Sequence, residues 1–209
     1  MKGSRPRTEL KSVETAVQSV ALSRMAKADV AREFDRLYRV WAQQVAAWAR
    51  RLGGPALDVE DVVQEVFVVL HRRLPDLTDP ARLTSWMFQL TENMVRHQRR
   101  AQRWGALFGR ASARAEAHGM DPTAPEQIEQ RQAADRLYAC LDKLSDRYRV
   151  PLILFEIDGL PCDRIAALLD LTVPAVWTRI HRGREQLLAR LQKLEALEAR
   201  RAAKLRGAP

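Results

Sequence analysis

The chain has 209 residues, room for one large or two small domains, and a formal net charge of +9 with a pI near 10.2, a balance that suits a polyanionic partner such as nucleic acid or an acidic membrane surface. No apolar run approaches the roughly 18 to 20 residues of a spanning helix, and the start MKGSRPRTELKS lacks the apolar core of a signal peptide. Cys140 and Cys162 are too few for a disulfide framework and lack zinc spacing, so a reduced, cytoplasmic setting is expected.

Only 9 glycines, abundant Ala, Leu, Arg, Gln and Glu, and no useful period-2 run predict an all-α protein. Residues 1–28 are polar and weakly patterned and read as an N-terminal arm. From 29 to 104 the apolar spacing is helical throughout, which defines a first domain. Phe34, Leu37, Trp41, Val45 and Trp48 make one stripe, stopped by Gly53, Gly54 and Pro55. A second helix opens at Asp58, whose side chain can cap it, with Glu60 and Asp61 in the first turn where carboxylates complement the helix dipole. Pro75 and Pro80 bracket a loop, and a third helix from Ala81 or Arg82 reaches about Arg103, with Trp86, Leu90, Met94 and Met87 as its expected buried stripe.

Residues 105–125 shift to Gly, Ala, Ser, Arg and Pro and read as a flexible linker. A second domain of four helical stretches spans 126–191, and 192–209 prolongs its last helix. Within it, Asp158 to Leu191 has the pattern of a helix-turn-helix. Pro161 starts a short helix with Ile165, Leu168 and Leu169 on one side, Asp170 and Leu171 turn, and Thr172 can cap the next helix with Pro174 in its first turn. That helix has an apolar stripe of Val176, Ile180, Leu187 and Leu191, and carries Ala175, Thr178, Arg179 and Arg182 on the other side. In a docked helix-turn-helix the start of the second helix meets base edges while nearby cations hold phosphates. An ordinary amphipathic hairpin with a solvated basic face has the same pattern.

Two further segments carry chemistry. Asp61, Gln64 and Glu65 crowd one polar edge of DVEDVVQEVFVVL. Carboxylates at a helix start usually complement the dipole, no second cluster supplies the other ligands of a divalent cation, and His71, His97, His118 and His181 are scattered; no metal or other cofactor is expected. In RLTSWMFQLTENMVRHQRRAQR, Arg96, Arg99, Arg100 and Arg103 gather at the C-terminal end, where cations favour the dipole and could also neutralise phosphate, with Asn93 and the preceding loop placed near bases. Aromatics among arginines suit single-stranded DNA, although Trp86 taken alone reads as core.

Together, DVEDVVQEVF, WMFQLTENMVRHQRR and LDKLSDRYRVPLILFEIDGLPCDRIAALLDLTVPAVWTRIHRGREQL resemble the extracytoplasmic-function (ECF) group of bacterial sigma-70 RNA polymerase sigma factors, over about Ala31 to Leu191. The resemblance implies two helical domains, sigma region 2 and sigma region 4, and no covalent chemistry. It implies that Asp61, Gln64, Glu65 and Phe67 belong to the segment docking on core polymerase, with Phe67 packing beneath that surface. It assigns the loop Leu74 to Thr84, with Asp76, Thr78 and Arg82, and the helix residues Trp86, Asn93, Arg96, Arg99 and Arg100 to minus-ten DNA, where a base is flipped and trapped. It assigns Ala175, Trp177, Thr178, Arg179, His181, Arg182 and Arg184 to the helix reading duplex DNA at the minus-thirty-five element. An anti-sigma factor is an implied partner.

The chain departs from the family pattern at Glu92, His97, Arg164, Pro174 and Trp177, which bears on promoter sequence; Trp177 lies beside core position Val176, between core and DNA. Two rivals remain at this level. A stand-alone dimeric helix-turn-helix regulator would share the motif but has no use for the acidic edge. A metal-dependent nucleic-acid enzyme would use Asp58, Glu60, Asp61 and Glu65.

Overall fold

Seven α-helices make up the computed structural model, which describes residues 27–77, 79–107 and 125–206. All but the last two residues of the expected arm, most of the expected linker and Thr78 lie outside the described residues. The described chain falls into two compact units: residues up to 107 together with Ala166–Leu171, and the remaining residues from 125 onward.

The first unit is a three-helix cluster of α1 (Lys27–Gly53), α2 (Val59–Arg73) and α3 (Leu83–Leu107), each packed on the other two. Leu37, Trp41, Val45 and Trp48 are buried on α1 as their spacing predicts, with Trp48 edge-on to Phe88 at 5.2 Å. Gly54 ends α1 in the left-handed region at φ 82°, its N–H bonded to the Arg50 carbonyl at 2.9 Å, a closure that favours glycine. Asp58 caps α2 by accepting the Asp61 N–H at 3.1 Å. Asp58→Ala is expected to cost about 1 kcal/mol, measured as a lowered midpoint of chemical denaturation; an unmoved midpoint would show the cap to be silent.

The α2–α3 connection is not plain loop: Leu74–Asp76 and Pro80–Arg82 form two single 3₁₀ turns. Leu74, fully buried, pins its start. On α3 the buried positions are Leu83, Met87, Phe88, Thr91, Val95 and Arg99, and the expected stripe of Trp86, Leu90 and Met94 is only half-buried. The stripe is therefore displaced by one residue, because α3 meets α1 and α2 along the i, i+4 row that starts at Leu83. Thr91 enters that row because its hydroxyl donates to the Met87 carbonyl at 2.8 Å, so no donor is stranded.

The second unit is built on α4 (Pro125–Leu141), α5 (Asp146–Glu156) and α7 (Val173–Arg206); α6 (Cys162–Leu169) precedes α7 in the chain, with its first half, to Ile165, in this unit. α5 lies against α7 through a nearly unbroken apolar run, Val150 to Leu154. Gly183 lets the two helices approach: a Cβ there would stand 3.2 Å from the Tyr148 carbonyl oxygen and 3.4 Å from Leu152. Arg149 is buried at 1% exposure, with a guanidinium nitrogen 3.3 Å from an Asp142 carboxylate oxygen. α7 continues as one helix to Arg206, and Arg136 on α4 pairs with Glu198 at 3.8 Å. Both cysteines are free and buried, and burial pushes both thiols up, at Cys162 with help from Asp163.

Candidate nucleic-acid interface and docking face

The helix-turn-helix forms as its breaks predict. Pro161 offers its carbonyl to the first N–H groups of α6, and α6 ends at Leu169. Asp170 takes the left-handed conformation at φ 53°, which Asp tolerates better than most residues, and the Leu171 N–H closes back on the Ala166 carbonyl at 2.9 Å. Thr172 then accepts the Ala175 N–H through its hydroxyl at 3.4 Å and the Val176 N–H through its carbonyl at 3.1 Å.

Val176 and Ile180 are fully buried and Gly183 is buried beside them, which fixes the rotation of α7. That rotation leaves Pro174, Thr178, His181 and Arg182 exposed, with Ala175 and Arg179 half-buried at the margin. Thr178 keeps its hydroxyl on the Pro174 carbonyl at 2.9 Å, and His181 lies 3.5 Å from Glu185. Arg184 differs from its neighbours. Its guanidinium binds the Glu156 carboxylate and sits 5.3 Å from the centre of the Phe155 ring. Trp177 is 49% exposed and packs against the other partner in that cluster, Phe155, at 5.5 Å between ring centres. It is neither core nor free: it stands on the border of the exposed face.

On α2 of the first unit, Gln64, Glu65 and Val68 are exposed and Asp61 is half-buried. Phe67 faces inward at 3% exposure, with Tyr38 at 4.6 Å and Phe34 at 6.2 Å between ring centres, so it supports this edge from below. Beside the edge, α1 and α2 border an open groove of about 710 Å³ lined by Tyr38, Gln43, Ala46, Arg50, Val63 and Gln64.

Along α3, Trp86, Asn93 and Arg100 follow at seven-residue intervals and share one face with Arg96. Trp86 is half-buried and the other three are exposed. Arg96 reaches back to the Asn93 side chain and to Glu92 at 3.4 Å, so part of its charge is already offset. Arg99, expected among the DNA contacts, is instead buried at 6% exposure on the inner row, because it follows Val95 by one helical turn. Trp104 was not anticipated: it is 59% exposed, four residues beyond Arg100, and extends the same face by one turn. A five-turn spacing from Trp86 is the signal that could have found it. In the preceding turns Asp76 is exposed, Asp79 accepts the Ala81 N–H at 3.0 Å, and Arg82 pairs with Asp79 at 3.5 Å while remaining exposed. Thr78 lies outside the described residues.

An exposed, cationic second helix of a helix-turn-helix in one unit and an aromatic, basic helix face in the other define a protein of the nucleic-acid-binding class. Comparison with known proteins narrows it. Residues 37–105 match the family model described as Sigma-70 region 2, and residues 134–187 match Sigma-70, region 4. The chain is 37% identical over 169 residues to ECF RNA polymerase sigma factor SigE of Mycolicibacterium smegmatis, an alignment spanning 77% of this chain and 62% of that relative. It is 31% identical to RNA polymerase sigma factor CnrH of Cupriavidus metallidurans, across 77% of this chain and 87% of CnrH. The solved structure of CnrH in complex with the cytosolic domain of CnrY superposes with a TM-score of 0.52 at 27% identity, covering 87% of this chain and 95% of that one.

The chain belongs to the sigma-70 family of bacterial RNA polymerase sigma factors, in its ECF group. Members of that family are transcription initiation factors rather than enzymes. Among the described residues, no helix is long and apolar enough to cross a membrane.

Proposed function

We propose that this chain acts in the cytoplasm, directs core RNA polymerase to specific promoters and nucleates melting at the minus-ten element. The observation that carries the proposal is the rotation of α7: burial of Val176 and Ile180 aims Thr178 and Arg182 outward from the start of the second helix, where a docked helix-turn-helix meets the major groove. The region from 126 to 191 would hold duplex DNA at the minus-thirty-five element, with Ala175, Trp177, Arg179 and His181 around that face. The region from 29 to 104 would hold the melted minus-ten strand along Trp86, Asn93, Arg96 and Arg100, with Asp76, Thr78 and Arg82 on the loop side. Flipping a base costs a few kcal/mol, so that loop would offset unstacking with specific contacts. Arg99 and Phe67 would support these faces from beneath.

Asp61, Gln64 and Glu65, with the groove between α1 and α2, would form the docking face for core polymerase. The family implies an anti-sigma partner, and the CnrH structure, which contains the cytosolic domain of CnrY, supports a protein partner of that kind. The stretch 105–125 would link the two DNA-binding regions, 1–28 would be an arm outside them, and 192–209 an extension of α7.

The deciding experiment is run-off transcription with core polymerase on fragmented genomic DNA, followed by mapping of start sites. Two shared elements upstream of the starts are expected; starts without a shared upstream element would overturn the reading. On a mapped promoter, Arg182→Ala should weaken binding by about 1–3 kcal/mol if it contacts a base, or lower the slope of log K against log salt by about 0.9 if it holds a phosphate. Loss confined to minus-ten melting would mean that the two regions are assigned the wrong way round.

A further inference from the structure

Trp177 is one of the positions where the chain departs from the family pattern, and the cluster around it is built rather than incidental. Its ring packs on Phe155 of α5 at 5.5 Å, Arg184 covers that same Phe155 ring at 5.3 Å, and Glu156 holds the Arg184 guanidinium. Trp177 and Arg184 are seven residues apart on α7, two turns on one side of the helix, so Phe155 meets both from the neighbouring helix while Glu156 holds Arg184. Half of the Trp177 surface remains open, on the edge shared with Pro174, Thr178 and His181. A large apolar ring left at the margin of a base-reading face matches one groove feature above all, the C5-methyl group of thymine, the main apolar mark in the major groove. Arg184, with its charge satisfied by Glu156, has less reason to seek a phosphate.

We propose that Trp177 reads a thymine methyl in the upstream promoter element, and that Phe155 and Arg184 are positioning residues that hold its ring at the groove. This rests on the promoter-reading function proposed above. It makes Arg184 a brace rather than a direct DNA contact.

The test uses the full chain assembled with core polymerase and a mapped promoter in which each upstream thymine is replaced in turn by uracil, which lacks only the methyl. The unaltered protein should lose about fourfold in affinity at one thymine, the worth of one buried methyl. In Trp177→Ala that loss should vanish while any penalties at other thymines persist. Arg184→Met should diminish the same penalty and leave the salt slope unchanged. Trp177→Leu, which keeps apolar bulk, provides a second reading, and thermal melting checks that each variant is folded. Uracil penalties that are unchanged in Trp177→Ala overturn the thymine contact, and a salt slope that falls by about 0.9 in Arg184→Met overturns the brace. Failure of the unaltered holoenzyme to prefer the mapped element over scrambled duplex would instead sink promoter reading itself.

Discussion

Replacing Glu65 by Arg is expected to weaken association with core polymerase by about 2 kcal/mol, roughly thirtyfold, because it reverses the charge of an exposed side chain on the proposed docking face, and mismatched charge across an interface costs several kcal/mol. Glu65 is exposed on α2 and outside the core, so the fold should survive the change. Binding of upstream duplex by the free chain should also be unaltered, since that face belongs to the other unit. Titration of fluorescent core polymerase against both proteins measures the difference. Equal affinities would remove Glu65 from the proposed docking face and leave the contact to the groove between α1 and α2, whose lining includes Glu60 and Gln64.

The second large effect concerns the core. Trp48 is 1% exposed, edge-on to Phe88 and 5.9 Å from Trp41 between ring centres, at the meeting of α1 and α3. Trp48→Ala removes the transfer free energy of a large ring and leaves a cavity lined by stiff aromatic neighbours, for an expected cost of about 3–5 kcal/mol. That is a large fraction of what a domain of this size has available. Segment-resolved hydrogen exchange should show protection lost across 37–105 and little changed across 134–165 and 172–187. A uniform loss over both segments would show that the two units unfold as one. Trp104→Ala, at an exposed position, is expected to stay within about 0.5 kcal/mol of the unaltered protein.

The α1 stripe, the Asp58 cap and the Thr172 cap follow from residue type and spacing, because capping and helical periodicity are local and act over four residues or fewer. The α3 stripe does not. Its apolar residues, Trp86 to Val95, are dense enough to define several faces, and α1 and α2 together select the row through Leu83, Met87, Thr91, Val95 and Arg99. A threonine and an arginine are thereby drawn inward, which no hydropathy pattern would propose. Arg149 is a similar case: its burial depends on Asp142, seven residues earlier and on the far side of a turn.

Residue types and their spacing suffice for the class: an all-helical chain of high positive charge, a helix-turn-helix with its breaks and caps in place, and three motifs in the order of the ECF sigma factors. Each of these rests on local chemistry or on motif spacing, both of which are written along the chain. Which cations face outward depends instead on how the helices pack. Arg182 is presented, Arg184 is turned to Glu156 and Phe155, and Arg99 is buried, although all three are arginines on helices of similar pattern. Trp177 was decided in the same way, on the border and against Phe155, because a helix face acquires its inside and outside only from the helix that packs upon it.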